Sequence, residues 1–305
     1  MEEGKEPGRL AGQKLPMTGL FHLFVVYTIW SSTYLFIRIA VGEGGGFPPF
    51  YLGASRMIVC ALLLLAFAYL RKKQVKISLR EMKTLALSGV LLWVGANGLV
   101  MWAEQYANSG FTALMVASAP IWTALINALL DRKRPSLLLI GSLLFGFAGL
   151  AVLMGPALLA WDSRELLSGG ALFLASISWA AGSVVQTRHP VAISAPVSSG
   201  YQHLFASFGF LALALLLGEA WPAPSMAGWL SWGYLVLFGS IFAFTSFIYT
   251  LQLLPINIAM TYAYVNPVLA LFLGWWLLDE AITVWTLLGA LMVVLGVVGV
   301  FRSRK

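Results

Sequence analysis

Residues 18–40 read TGLFHLFVVYTIWSSTYLFIRIA, and residues 169–187 read GGALFLASISWAAGSVVQT. Each stretch is apolar over the roughly 20 residues that a helix needs to cross the hydrocarbon core of a bilayer. Neither shows the strict alternation of a barrel strand, so both read as helices. Working outward in the same way gives ten spans, at about 18–40, 48–70, 84–103, 108–130, 136–155, 169–187, 195–217, 227–251, 256–278 and 282–301. The loops between them are short and leave no room for a soluble domain. The predicted fold is an all-α membrane protein of ten transmembrane helices.

Composition requires the same answer. Only 10% of the 305 residues are charged and 60% are hydrophobic, whereas a soluble globule carries about 25% charged residues. So few charges cannot make a water-facing surface. Lipid must cover most of the outside, and the backbone must be satisfied within the helices. The first seventeen residues are polar and lack the basic start, apolar core and cleavage site of a signal peptide. The first apolar segment is therefore read as a retained anchor. The single cysteine, Cys60, lies inside an apolar run and forms no intramolecular disulfide.

The net charge of +7 is a topology signal rather than a mark of nucleic acid. With the N-terminus in the cytoplasm, sixteen of the nineteen Lys and Arg fall on the inner side, among them Arg71, Lys72, Lys73, Lys76, Arg80 and Lys83 of one loop. Only Arg164 falls in an outer loop, while Arg38 and Arg56 lie within spans. That is the positive-inside pattern, and it places both termini in the cytoplasm. Trp161, Trp221, Trp229, Trp275, Trp276 and Trp285 then fall near the outer interface, where aromatic belts sit.

The two halves match at an offset of about 148 residues. Trp30 aligns with Trp179, Pro49 with Pro196, Gln105 with Gln252, Pro120 with Pro267, and Gly141 with Gly289. Leu-Leu-Asp at 129–131 aligns with Leu-Leu-Asp at 277–279. Each half holds five spans, an odd number, so the second enters the membrane upside down. The chain divides into a tail (1–17), a first repeat (18–155), an outer linker (156–168), a second repeat (169–301) and a short tail (302–305). Inverted repeats are an architecture of secondary transporters, with the solute site at the midplane between them.

Four segments resemble the EamA family of the drug/metabolite transporter superfamily: Ile29-Trp-Ser-Ser-Thr-Tyr-Leu-Phe-Ile-Arg38, Ser176-Ile-Ser-Trp-Ala-Ala-Gly-Ser183, Gly233-Tyr-Leu-Val-Leu-Phe-Gly-Ser240 and Thr261-Tyr-Ala-Tyr-Val-Asn-Pro267. With the repeat, the resemblance covers about residues 18–301. The look is that of bacterial inner-membrane members. It implies a ten-helix bundle with a cavity lined by spans 1, 3, 4, 6, 8 and 9, with spans 5 and 10 at the periphery. It also implies export of amino acids or related metabolites. The chain departs from the family pattern at Ser31, where Gly is common, at Arg38, where Lys is common, and at Arg132, which follows Leu-Leu-Asp where the family often has Glu.

Candidate site residues gather in the middle layer. Trp30 and Trp179 sit near mid-span, away from the interface that Trp prefers, and read either as cavity walls or as packing between helices. Tyr34, Asn97, Ser118, Ser183, Tyr262 and Asn266 share their layer and suit a neutral or zwitterionic solute. Singly, each could merely bond a neighbouring helix. Pro120 and Pro267 read as hinges or fixed kinks. Arg38 and Glu104 read as an outer gate pair, with Arg56 holding carbonyls or carboxylates, against the alternative of snorkelling. His203 aligns with Arg56 and is expected in the inner half, as a titrating or a structural histidine.

No phosphate-binding loop, no clustered Cys or His and no convergent nucleophile is present in the sequence. The expectation is a monomer that is not an enzyme, takes no cofactor, metal or nucleic acid, and moves a small-molecule solute. Efflux of cationic or amphipathic drugs is the rival within transport; a structural or sensory membrane protein and an intramembrane enzyme are the rivals outside it.

Overall fold

The computed structural model describes residues 15–107, 109–154, 163–269 and 283–303, and among these the chain is helical with no strand. The helices are α1 (Met17–Val41), α2 (Pro49–Leu70), α3 (Leu79–Ala103), α4 (Ser109–Val116), α5 (Ala119–Asp131), α6 (Leu137–Met154), α7 (Ser163–Arg188), α8 (Ala195–Leu216), α9 (Met226–Leu253), α10 (Ile256–Ala259), α11 (262–269) and α12 (Val284–Arg302). They make ten spans in two inverted five-helix repeats, because α4 with α5 forms the fourth span and α10 with α11 the ninth. Six helices are long and apolar enough to cross a membrane alone: α1, α2, α3, α7, α8 and α9. Trp161, Arg164, Trp275, Trp276, the Leu-Leu-Asp at 277–279 and most of the 156–168 linker lie outside the residues or side chains described.

Local chemistry sets the ends. Pro16 precedes α1, and α2 and α8 carry Pro49 and Pro196 in their first turns, where a missing N–H costs nothing. Glu219 accepts from the backbone N–H of Phe50 (3.0 Å) and Tyr51 (2.9 Å), a cap for α2 supplied by the other half of the chain. Ser78 and Glu81 close a capping box on α3, and Glu81 also accepts from the Ala192 N–H at 3.1 Å. These contacts define two ends of the bundle. One, the basic end, gathers residues 71–78 and 189–194. The opposite end gathers residues 42–47 with 219–225, where Ala223 and Ser225 donate to the carbonyls of Gly46 and Gly45.

The packing repeats itself with roles exchanged. α1 lies along α9, and its counterpart α7 lies along α3. α2 packs on its own counterpart α8, and α6 on α12. Gly53 of α2 makes room for the Phe210 ring of α8, and Gly200 of α8 makes room for Leu65 of α2. At the α6–α12 crossing a Cβ on Gly296 would meet Gly146 Cα at 2.7 Å, so only glycine permits this approach. Gly141, by contrast, faces open space.

Both repeats also distort in the same spans. α3 widens to π geometry over Val90–Asn97, and α9 over Leu235–Phe244. The fourth span breaks at Ala117–Ser118 and the ninth at Met260–Thr261. At each break a hydroxyl turns back on the carbonyl three residues before it: Ser118 on Met115 at 2.8 Å, Thr261 on Ile258 at 2.6 Å. Pro120 follows the first break within the opening turn of α5. Pro267 lies in α11, beyond the second break.

Candidate solute-binding cavity

Trp30 of α1 and Trp179 of α7, equivalent positions of the two repeats, meet edge to face with ring centroids 5.3 Å apart. Tyr262 and Phe247 complete the cluster at 5.0 and 5.2 Å from the Trp30 ring. The Trp30 N–H donates to Gly239 O at 3.0 Å, a carbonyl inside the π stretch of α9. A buried indole thus finds the partner it needs.

Trp30, Trp179 and Tyr262, but not Phe247, bound a cavity of about 50 Å³. One water needs roughly 10–15 Å³ of such space, so the cavity has room for a few waters rather than for a metabolite. Trp30, Tyr34, Asn97, Trp179 and Tyr262 all line it. Ser118, Ser183 and Asn266 do not: each bonds backbone instead. Ser183 donates to Trp179 O at 2.8 Å. The Asn266 amide, oriented to donate, reaches Tyr27 O (3.1 Å) and Tyr262 O (3.0 Å). Ser118 donates to Met115 O at 2.8 Å, so all three side chains serve the helices.

The lining differs from the one the resemblance implied. Span 2 enters it through Arg56, and no residue of span 8 belongs to it. Arg56 is 2% exposed. Its Nε donates to Ser240 Oγ at 2.7 Å and its guanidinium carbon lies 5.1 Å from the Trp93 ring centroid. His203 packs on the same indole at 4.8 Å and its Nδ1 bonds Ser199 O at 2.6 Å. The two equivalent positions therefore meet around one tryptophan, and His203 lies outside the lining. Sequence reasoning passed over Trp93, though a third Trp in mid-span was the available signal.

The Arg38–Glu104 side-chain pair expected as a gate is not formed. Arg38 Nη1 donates to the carbonyls of Glu104 and Ala107. These lie just past the end of α3, where no helical donor follows. The Glu104 carboxylate is fully buried, and neither oxygen has a hydrogen-bond partner among the described residues. It stands one helical turn past Val100, which lines the cavity.

Toward the basic end the bundle is held by polar contacts. Gln202 donates to Gln186 Oε1 (2.6 Å) and Ser88 Oγ (2.7 Å), joining α8, α7 and α3. Arg188 donates to Asn127 Oδ1 and Asp131 Oδ1, both at 2.8 Å, tying the end of α7 to the end of α5. The acidic residue of the first Leu-Leu-Asp thus has a partner.

The profile of the EamA-like transporter family matches residues 17–155 and again residues 168–302. The chain is 36% identical over 290 residues to the "Uncharacterized inner membrane transporter YedA" of Escherichia coli (strain K12), covering 92% of this chain and 89% of that protein. It is 24% identical to the "Uncharacterized transporter YoaV" of Bacillus subtilis (strain 168), over 89% and 92% of the two chains. A solved structure described only as "Crystal structure of protein" shares the fold, with a TM-score of 0.75 at 19% identity, over 94% of this chain and 99% of that one.

Proposed function

The chain belongs to the EamA-like transporter family, and from that premise we propose that it is a monomeric secondary transporter exporting amino acids or related small metabolites. It sits in a bacterial inner membrane with both termini in the cytoplasm. One repeat rocks against the other, and the cavity opens to each side in turn. The observation that carries this reading is the meeting of Trp30 and Trp179 from inverted repeats at a shared cavity. Aromatic faces with a few placed polar groups make a small-molecule site. Opening is required, since ligand pockets are of order 300–1,000 Å³.

Buried and with no hydrogen-bond partner among the described residues, the Glu104 carboxylate favours a second reading, efflux of organic cations. Purified protein in proteoliposomes, offered labelled amino acids, monocarboxylates and organic cations, decides between them. Flux of amino acids supports metabolite export. Flux of cations alone favours the second reading, and flux of nothing across the panel overturns transport.

A further inference from the structure

We infer that Arg56 binds a carboxylate of the solute, so that the cavity takes small monocarboxylates and zwitterions. The inference rests on the transport reading above. A guanidinium offers five N–H donors. In Arg56 the Nε is spent on Ser240 Oγ, while Nη1 is buried with no hydrogen-bond partner among the described residues. The side chain is held on its other faces. Its plane rests on Trp93, and Nη2 lies against Gly239, where a Cβ would meet it at 3.1 Å.

No carboxylate among the described residues forms an ion pair with Arg56. Among the described residues the one ion pair is Arg188 with Asp131, near the basic end of the bundle. A cation inside a membrane bundle is costly unless something pairs with it. Arg56 lines the cavity, so an anion entering there pairs with it and meets the planar fork that matches a carboxylate. Arg56 is the single cation among the described lining residues. A monoanion is therefore balanced where a phosphate dianion is not. With the carboxylate on Arg56, the rest of the solute lies against the Trp30 and Trp179 rings, which line the same space.

Binding of four matched probes to the purified full-length protein tests this: phenylalanine, 3-phenylpropionate, phenylalanine methyl ester and 2-phenylethylamine. The two acids are expected to bind at least about tenfold more tightly than the ester and the amine, as a charge-assisted bond dictates. Arg56→Gln brings phenylalanine down to the level of its ester. Arg56→Lys falls between, because it keeps charge but not the fork. Ester and amine binding as tightly as the acids to the unmutated protein overturns the inference without any variant. So does undiminished affinity in an Arg56→Gln protein that melts like wild type. If no probe binds, the proteoliposome panel decides. With the matching methyl esters added to that panel, a carried acid whose ester is not carried supports Arg56. A carried solute lacking a carboxylate overturns its role and leaves transport standing. Absence of any flux overturns transport and this inference with it.

Discussion

The Arg38 guanidinium is bonded to the backbone of Glu104, not to its carboxylate. The distinction has a measurable consequence. Arg38→Gln is expected to destabilise the protein by roughly 1–3 kcal/mol, since two carbonyls lose a charged donor. Exchanging the residues, Arg38→Glu with Glu104→Arg, should restore nothing, because a carboxylate cannot donate to those carbonyls. Unfolding in detergent and flux in liposomes check both. Recovery in the exchanged protein would mean the side chains pair in some working state.

Trp30 and Trp179 share a ring contact but differ in their attachments. Trp30 donates to Gly239 O, so Trp30→Phe should cost about 1–2 kcal/mol from the lost bond. Trp179→Phe keeps most of the packing and should melt closer to wild type while binding solute less well. Melting and affinity measured on the same preparations separate the two. Equal losses of stability would show that Trp179 is as structural as its partner.

The basic loop predicts sidedness. Cys60 is buried, and a Cys60→Ala background removes it altogether. In that background Lys73→Cys should react with a membrane-impermeant thiol reagent only from the cytoplasmic side. Trp221→Cys, at a position 82% exposed at the opposite end, should react only from the other. Labelling of both from one face would overturn the ten-span topology.

Glu219 caps α2 from 168 and 169 residues away. Glu219→Ala should lower stability by about 1–2 kcal/mol, the usual loss for a helix cap. Glu219→Gln, which keeps an acceptor, should recover part of it. Hydrogen exchange at Phe50 and Tyr51 is the direct readout, and protection unchanged in the alanine protein would exclude the cap.

The span count and the repeat were legible because apolar length and the spacing of Trp and Pro marks are properties of local sequence. The pairing of Trp30 with Trp179 followed from the repeat alone. Other features depend on where chains meet. Ser118, Ser183 and Asn266 turn to backbone carbonyls rather than to the cavity, a choice that no spacing reveals. Arg38 and Glu104 were expected to pair through their side chains, yet the bonding atom is a carbonyl that sequence does not display. The π stretches of α3 and α9 mix glycine and one polar residue into apolar runs, a composition that ordinary membrane helices share.

With no side chain between Gly146 and Gly296, the seam of α6 and α12 holds no rotamers at its crossing that could re-sort under load. Backbone resting on backbone has one way to fit, so the two helices behave as a single stiff bar along the bundle. A bar cannot flex to admit a solute. In the alternating access proposed above the compliance comes from elsewhere, and the fourth and ninth spans, each interrupted by a short break, are the joints which that reading assigns.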